Sequence, residues 1–345
     1  MIDENFSLVL IKWYNLNKRN LPWRNTVDPY KIWISEIILQ QTRVEQGLPY
    51  YNKFILNFPN IIKLSQAKED KVLKLWQGLG YYSRARNLHF TSKYITEKLN
   101  GEFPKNYDGL IKLKGVGKYT ASAISSFAYN EKKAVLDGNV FRVLSRYFGV
   151  FDPIDSTLGL KLFEEISFKN LPIKNIATYN QSIMEFGALQ CKPASPNCEL
   201  CPLNFNCWAF LNNKISSLPV KNKKIIKKER FFNFIVLANE KFVFIEKRIK
   251  NDIWKNLYQF PLFEDSDLNF KPAKDLVKNG VLLKKTKIKH ILTHQRLNVV
   301  FWHYNVNKLE KNKKYKTIEI KKIDQYPVPK IVENYIAENL RIDLI

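Results

Sequence analysis

The stretch from Leu113 to Ala121 reads LKGVGKYTA, and it determines how the first part of the chain is interpreted. Gly115 and Gly117 separate two segments with helical spacing of apolar residues, which predicts a tight reversal between two helices over about residues 107–129. Amide groups at the start of the second helix would point outward, where the helix dipole favours a phosphate. A plain connection between helices also explains a lone Gly-x-Gly pattern, so this stretch needs a second signal.

The second signal is an acidic residue directly before the next predicted helix. Residues 135–140 read VLDGNV, which places Asp137 at the N-cap of a helix predicted over 139–148. Taken alone, such an aspartate is a simple helix cap. Local amides and the helix dipole also keep an N-cap carboxylate ionised, which suits an anion that faces a cationic transition state. The two interpretations are compatible.

Helical spacing of apolar residues continues through most of the first 220 residues. Asp28 and Pro29 form an N-cap and first-turn pair that opens a helix through Gln41. A mainly α N-terminal domain is therefore predicted over residues 1–220. Its further helices are predicted at 44–58, 66–77, 83–99, 107–113, 118–129, 139–148, 157–167 and 177–188.

The character of the sequence changes near Lys221. The basic run at 221–230 has neither a helical nor a strand stripe and is predicted to be a linker. A second, α+β domain is predicted over 231–345. Its strands are predicted at 231–238, 242–248, 286–292 and 297–304, the first two as a hairpin, and a terminal helix is predicted near 329–340.

Composition and charge narrow the class of protein. Hydrophobic residues make up 45% of the 345 residues, as in an ordinary globular chain, and the net charge of +24 suggests a polyanionic partner. Compositional drift toward lysine equally explains the size of that charge. No segment approaches the roughly 18 apolar residues that a membrane span needs, so no membrane partner is expected. The first residues lack the layout of a signal peptide, which predicts a cytoplasmic protein.

All four cysteines lie within one short loop. Six, two and five residues separate Cys191, Cys198, Cys201 and Cys207. In a reducing compartment, thiols gathered in this way favour a metal site over disulfides. Thiolates suit either zinc or an iron–sulfur cluster, and ligand chemistry leaves both open.

Together these features resemble the endonuclease III type of helix–hairpin–helix DNA glycosylases. The cysteine spacing is that of their cluster loop, here residues 191–207, and the resemblance implies a structural [4Fe–4S] cluster. The glycine reversal followed by Asp137 is the hallmark of the same superfamily. Gly115, Gly117 and Lys118 are therefore expected to bind DNA.

Two further matches resemble the adenine glycosylases of this superfamily. Bifunctional members carry a nucleophilic lysine just after the hairpin, whereas this chain has Tyr119 there, which implies a monofunctional enzyme. Residues 33–42, WISEIILQQT, resemble the segment with the catalytic glutamate of adenine glycosylases, and Glu36 takes that position. The alternative is a buried glutamate paired with an arginine such as Arg24.

The resemblance implies a role for each of these residues. If it is desolvated, Glu36 would have a raised pKa and could protonate adenine as a general acid. Asp137 would stabilise the oxocarbenium-like sugar, as in retaining glycosidases. Tyr119 and Asn139 would support the two acids through hydrogen bonds.

The resemblance also implies residues that contact the opened DNA helix. Gln40 and Gln41 would probe it, and either Tyr81 or Tyr82 would wedge beside the lesion, although core packing also explains such tyrosines.

The C-terminal region resembles the Nudix-like domain of adenine glycosylases at residues 242–248 and 253–261. No Nudix box of paired glutamates follows, so no pyrophosphatase activity is predicted. Thr293 and His294 fall where the family carries a loop that reads oxidised guanine, with Leu292 in place of an aromatic residue. A strand end with incidental polar residues is the alternative.

The resemblance as a whole implies a mainly α helix–hairpin–helix glycosylase domain followed by an α+β Nudix-like domain. The expected activity is removal of adenine opposite 8-oxoguanine or guanine by a monomer bound to double-stranded DNA in the bacterial nucleoid. Two alternatives stay open at this point. One is a thymine or uracil mismatch glycosylase, and the other is a cluster-bearing DNA-binding protein without catalysis.

Overall fold

The computed structural model describes residues 5–222, 226–265, 270–272, 274–278, 280–309 and 312–340. Contacts between Cα atoms divide the chain into two compact units. The helical unit comprises Met1–Ser65 and Phe90–Lys223, and the sheet unit comprises Gln66–His89 and Lys224–Ile345.

The segment Gln66–His89 is grouped with the C-terminal residues because its side chains bind them. Asp70 accepts a hydrogen bond from the Lys247 ammonium at 2.7 Å, and Glu69 accepts one from the Asn256 amide at 2.6 Å. These partners lie far apart in sequence. The helical periodicity of this segment therefore gives no sign that it belongs with the C-terminal residues.

Helices account for most of the helical unit, and the predicted ones are found with shifts of a few residues at their ends. Apolar faces of the first, ninth, tenth and eleventh helices form one core, with Phe6, Leu10, Val140, Phe163 and Phe186 buried in it. The helices of the first 220 residues, of which α5 and the start of α6 belong to the sheet unit, are α1 Phe6–Asn17, α2 Pro29–Leu39, α3 Val44–Asn57, α4 Ile61–Ser65, α5 Glu69–Leu75, α6 Ser83–Lys98, α7 Tyr107–Leu110, α8 Lys118–Tyr129, α9 Gly138–Phe148, α10 Thr157–Lys169, α11 Ile176–Leu189 and α12 Trp208–Leu211.

Local sequence chemistry fixes the starts of the helices that matter most. The Asp28 carboxylate accepts a hydrogen bond from the Tyr30 amide at 2.9 Å, and Pro29 occupies the first turn of α2. The reversal before α8 depends on Gly115, whose φ of +83° lies in the left-handed region that favours glycine.

A mixed sheet forms the centre of the sheet unit. The elements of the C-terminal part are β1 Lys228–Ala238, β2 Phe242–Lys247, β3 Tyr258–Gln259, β4 Leu262–Glu264, α13 Lys274–Val277, β5 Gly280–Ile291, β6 Gln295–Val306, β7 Lys316–Glu319 and α14 Lys330–Asn339. The main path of the sheet runs β3-β2-β1-β6-β5, with β4 paired to β1 and β7 paired to β2. Strands β1 and β6 are parallel, with Phe232 opposite Val299, and the other pairs are antiparallel.

The predicted linker at 221–230 ends earlier than expected. Strand β1 begins at Lys228, because Lys228, Glu229 and Arg230 pair with Gln295, Arg296 and Leu297 of β6. A parallel partner more than 60 residues away in sequence cannot be recognised from the basic run itself. Residues 223–225 lie outside the described part of the chain.

Within the described residues, no helix combines the length and the apolar character that crossing a bilayer requires.

Candidate active site

A cavity of about 640 Å³ opens in the helical unit between α2, the glycine reversal, the start of α9 and α11. It brings together most of the residues that the sequence singled out in this unit. Those on its lining are Glu36, Gln40, Gln41, Gly117, Lys118, Tyr119, Asp137 and Asn139.

Glu36 is a buried carboxyl group on an otherwise apolar helix. The residue is 6% exposed, and it is flanked on α2 by the buried side chains of Ile32 and Ile37. Burial raises the pKa of Glu36 to about 7, with the nearby Asp137 acting in the same direction. Near neutral pH, Glu36 can therefore both hold and release a proton.

Tyr119 supports Glu36 directly. Its hydroxyl group donates a hydrogen bond of 2.7 Å to Oε2 of Glu36. Burial and the two nearby carboxyl groups raise the pKa of Tyr119 well above its ordinary value, so the phenol stays neutral and acts as a donor.

Asp137 lies in a different environment from Glu36. Its Oδ1 accepts hydrogen bonds from the backbone amides of Asn139 and Val140 at 2.9 and 2.8 Å, and its Oδ2 accepts one of 2.8 Å from the Asn139 side chain. Burial raises the pKa of Asp137, while these three donors act in the opposite direction. Asp137 accepts three hydrogen bonds and Glu36 accepts one from Tyr119, so the contacts of Asp137 favour a negative charge more strongly.

The start of α9 is held from behind by residues that the sequence pattern did not single out. Arg142 donates to Oδ1 of Asn139 at 2.9 Å and to the carbonyl oxygens of Gly187 and Cys191 at 2.6 and 2.7 Å. Gly187 allows α11 to come close, since a Cβ atom there would lie 2.9 Å from the Asn139 carbonyl oxygen. Only a three-dimensional contact reveals the role of either residue.

A buried ion-pair network forms another wall of the cavity. Glu185 has a fully buried side chain and accepts hydrogen bonds of 2.6–2.9 Å from Arg19 and Arg24. Burial acts to raise the pKa of Glu185, but the bonds from the two arginines outweigh it and hold this pKa at about 2. Arg24 is therefore bound to Glu185. The alternative prediction, that Arg24 pairs with Glu36, is wrong.

The other predicted DNA-binding residues of this unit also line the cavity, apart from Gly115. The Gln40 amide donates to the Thr120 hydroxyl at 3.2 Å, and Gln41 has a positive φ of 58°. Lys118 carries an exposed ammonium group that lies 3.1 Å from Glu164. Gly115 is exposed on the reversal and does not line the cavity.

The four cysteines line a separate, small and largely apolar cavity with Val143, Phe186 and Leu203. Arg146, which is 2% exposed, donates to Sγ of Cys191 at 3.4 Å. Burial raises the pKa of the Cys201 thiol to about 12, so a bound cation is what would make it a thiolate. Among the described residues, no group of three or more His, Cys, Asp or Glu side chains is arranged to hold a single metal ion.

A second surface of interest lies within the sheet unit. A pocket of about 410 Å³ is lined by Tyr81, Asp252, Trp254, Thr293 and His294, among others. The hydroxyl groups of Tyr81 and Thr293 are hydrogen-bonded to each other.

The two adjacent tyrosines of this unit face different surroundings. Tyr81 is 40% exposed and has a positive φ of 46°, whereas Tyr82 is buried and donates to the Val328 carbonyl oxygen at 3.5 Å. Of the two candidates for a DNA wedge, only Tyr81 presents its ring at the surface. Tyr82 is 6% exposed, and it also contributes to the lining of the pocket.

Replacing Glu36 by glutamine is expected to stabilise the folded protein at pH 8. The ordinary pKa of the group is 4.5 and its folded-state pKa is about 7, so the folded state binds the proton more tightly than the unfolded state. The free energy of unfolding of the wild type therefore falls as pH rises between these values. Glu36→Gln escapes this loss, a gain of about 3 kcal/mol at pH 8 that shrinks toward zero near pH 4. Urea denaturation at several pH values measures it.

The matched control for this prediction is Glu164→Gln, because the Glu164 side chain is 49% exposed. It is expected to change stability by less than about 1 kcal/mol at either pH. A gain for Glu36→Gln that is the same at pH 5 and pH 8 would contradict the buried, protonated state of Glu36.

Comparison with known proteins matches a different family model to each of the two domains. The family model of the HhH-GPD superfamily base excision DNA repair proteins matches residues 34–163, and that of the NUDIX domain matches residues 233–338. The predicted fold class, a helix–hairpin–helix glycosylase domain plus a Nudix-like α+β domain, is thereby confirmed.

Among solved structures, a thermostable thymine-DNA glycosylase is 29% identical with a TM-score of 0.56, covering 60% of this chain and 95% of that chain. Endonuclease III in a trapped covalent intermediate with DNA is 23% identical with a TM-score of 0.52, covering 60% and 94%. The second likeness establishes the fold alone.

Curated relatives extend over both domains. An adenine DNA glycosylase of Buchnera aphidicola subsp. Baizongia pistaciae (strain Bp) is 41% identical over 306 residues, which is 85% of this chain and 84% of the relative. One from Arabidopsis thaliana is 33% identical over 302 residues, which is 75% of this chain and 48% of the relative. With its cavity of two unlike acids and this match along both domains, the chain belongs to the adenine DNA glycosylase family.

Proposed function

We propose that this protein removes adenine mispaired with 8-oxoguanine or guanine in double-stranded DNA by hydrolysing its N-glycosidic bond. The proposal rests on one observation: Glu36 and Asp137 line the same cavity, and each has different hydrogen-bond partners. The cavity volume of about 640 Å³ is ample for one extrahelical base.

The first step needs a proton donor at neutral pH. Glu36 has a pKa of about 7 and can protonate a ring nitrogen of the adenine as the bond to the sugar breaks. The electron pair of that bond leaves with the base, and the sugar becomes oxocarbenium-like. The neutral Tyr119 hydroxyl holds Glu36 in place during this transfer.

The second step needs a negative charge near the sugar. Asp137 supplies it, since three donors fix its carboxylate in one orientation. Water then adds to the sugar carbon, and its proton returns to the Glu36 carboxylate, which restores the starting state. Tyr119 occupies the position of the family's nucleophilic lysine, and Lys118, one residue earlier, has an exposed ammonium group paired with Glu164. The enzyme is therefore expected to leave the DNA strand uncut.

The four cysteines are proposed to hold a [4Fe–4S] cluster. In such a cluster each thiolate binds a different iron, so four sulfurs around one small apolar cavity fit it. When bound, the cluster would order the loop 191–207. Arg146 and Arg142 hold this loop against α9 through Cys191, Lys192 and Pro193.

Recognition of the base opposite adenine is assigned to the surface of the sheet unit that carries Tyr81, Thr293 and His294. The exposed Tyr81 ring can wedge into the stack beside the lesion. Hydroxyl and imidazole groups at Thr293 and His294 can hydrogen-bond to the edge of an oxidised guanine.

Release of free adenine from a duplex that carries one 8-oxoguanine·A pair tests the chemistry. The wild type is expected to release it, and Glu36→Gln and Asp137→Asn should each lower the single-turnover rate at least about 100-fold. Because Glu36 must be protonated, the wild-type rate should fall as pH rises above about 7. Glu97→Gln, at an exposed position of α6 that does not line the cavity, serves as the control and should keep the wild-type rate.

Competing duplexes in the same assay separate the alternatives. Processing of G·T or G·U in place of 8-oxoguanine·A would indicate a mismatch glycosylase, and salt-sensitive binding without base release would indicate a protein without catalysis. Full activity of both acid variants would show that the assigned chemistry is wrong.

The opposite-base surface gives a separate prediction. Thr293→Val should lower the ratio of the adenine-release rates on 8-oxoguanine·A and G·A duplexes several-fold, because a recognition hydroxyl is lost. Tyr81→Ala should lower both rates through loss of the wedge. Thr317→Val on β7 is the control and should change neither. An unchanged ratio for Thr293→Val would contradict the assignment.

The cluster is tested by metal analysis of the native protein. A brown protein with about four irons per chain is expected. Cys198→Ser should lower both the iron content and the melting temperature, whereas Ser195→Ala in the same loop should change neither. A colourless protein with one zinc per chain would overturn the assignment.

A further inference from the structure

Arg230 on strand β1 is the centre of a polar network within the sheet unit. Its guanidinium binds Asp252 through Nη1 and Nη2 at 2.9 and 2.6 Å, and Glu264 through Nε and Nη2 at 2.6 and 2.7 Å. The ring of Phe232 lies 4.8 Å beneath it. The side chain of Arg230 is only 10% exposed, so its guanidinium is a largely buried donor held in one orientation rather than a mobile surface charge.

The same guanidinium reaches the loop assigned to lesion recognition. Nη1 of Arg230 donates to Oε1 of Gln295 at 3.1 Å, and Gln295 follows His294 directly. The Gln295 carbonyl oxygen accepts the Leu292 amide at 2.8 Å, which closes the turn between β5 and β6. Arg230 therefore holds the residue at the base of this turn.

On its other side, Arg230 holds the loop between β2 and β3. Asp252 of this loop also accepts from Nη2 of Arg248 at 2.6 Å, and Arg248 donates to the Ile253 carbonyl oxygen at 2.8 Å. Trp254 follows with a positive φ of 61°. Asp252, Ile253 and Trp254 line the same pocket as Thr293 and His294.

We propose that Arg230 is a positioning residue for opposite-base recognition, and that it fixes the spacing of the two loops that form this pocket by holding Asp252 and Gln295 at once. The proposal rests on the proposed function in one respect, namely that the pocket reads the base opposite adenine. Arg230 itself touches no DNA in this scheme. Its effect is on discrimination rather than on the chemistry of base release.

Charge balance decides which bond to test. Arg230 and Arg248 oppose the carboxylates of Asp252 and Glu264, so removing Arg230 would leave an excess of partly buried negative charge and could unfold the unit. The bond to Gln295 is different because Gln295 is neutral. Gln295→Met removes only the acceptor and leaves this charge balance unchanged.

The measurement is the ratio of single-turnover adenine-release rates on 8-oxoguanine·A and G·A duplexes at saturating enzyme. Gln295→Met is expected to lower this ratio about tenfold, the effect of losing a hydrogen bond to a charged group, with the G·A rate kept within about twofold. Arg296→Gln is the matched control, since Arg296 pairs with Glu229 on the neighbouring strand at 2.7 Å and should leave the ratio unchanged.

Each outcome bears on the proposal. A wild-type ratio in Gln295→Met, or an equal fall of both rates, would overturn the positioning role while leaving the proposed function intact. A wild-type enzyme with no preference between the two duplexes would overturn the recognition role of the pocket, and with it the positioning role, while adenine release itself would stand. Absence of adenine release from both duplexes would overturn the proposed function. Thermal denaturation of Gln295→Met should match the wild type within a few degrees, and a large loss would assign Gln295 to folding instead.

Discussion

Two carboxyl groups share one buried cavity, and the rest of the helical unit is arranged around that constraint. Burying a charged carboxylate costs several kcal/mol unless hydrogen bonds compensate. Glu36 receives one donor, Tyr119, within apolar surroundings, whereas Asp137 receives three donors at the start of α9. The same desolvation that raises both pKa values thus leaves one acid suited to hold a proton and the other suited to hold a charge.

The side of the cavity that α11 forms also contains a buried carboxylate whose charge is compensated. Glu185 is fully buried, and two arginines satisfy it, so this charge does not add to the repulsion between Glu36 and Asp137. One turn or less away, Gly187 lets the helix backbone approach Asn139 closely. The orientation of Asn139, and through it that of Asp137, therefore depends on the absence of a side chain on a different helix.

Local chemistry accounts for what the sequence predicted in this site. Asp137 bonds to residues two and three positions ahead, so its capping role can be read from VLDGNV alone. An acid among isoleucines likewise marks Glu36. The ion pairs of Glu185 join residues 161 and 166 positions apart, and no periodicity reveals them. Membership of the adenine glycosylases was suggested by motif resemblance, while the side-chain network behind the motifs required the fold.

The sheet unit was harder to predict for a related reason. The strand runs were found, but β1 and β5 extend beyond the predicted limits, since strand length is set by pairing with β6 rather than by composition. The two tyrosines at 81 and 82 are equivalent in sequence, and the positive φ of Tyr81 separates them.

A recognition loop has to be both exposed and rigid, and exposure alone removes most of the packing that gives rigidity. The turn that carries Thr293 and His294 compensates by bonding at its base, to the Lys228 amide at 3.1 Å and to the guanidinium of Arg230. Arginine suits that position because one planar group can bind two carboxylates and an amide at fixed angles, which a lysine ammonium cannot do. If this pocket reads the base opposite adenine, its precision comes from a buried cation that the base never touches.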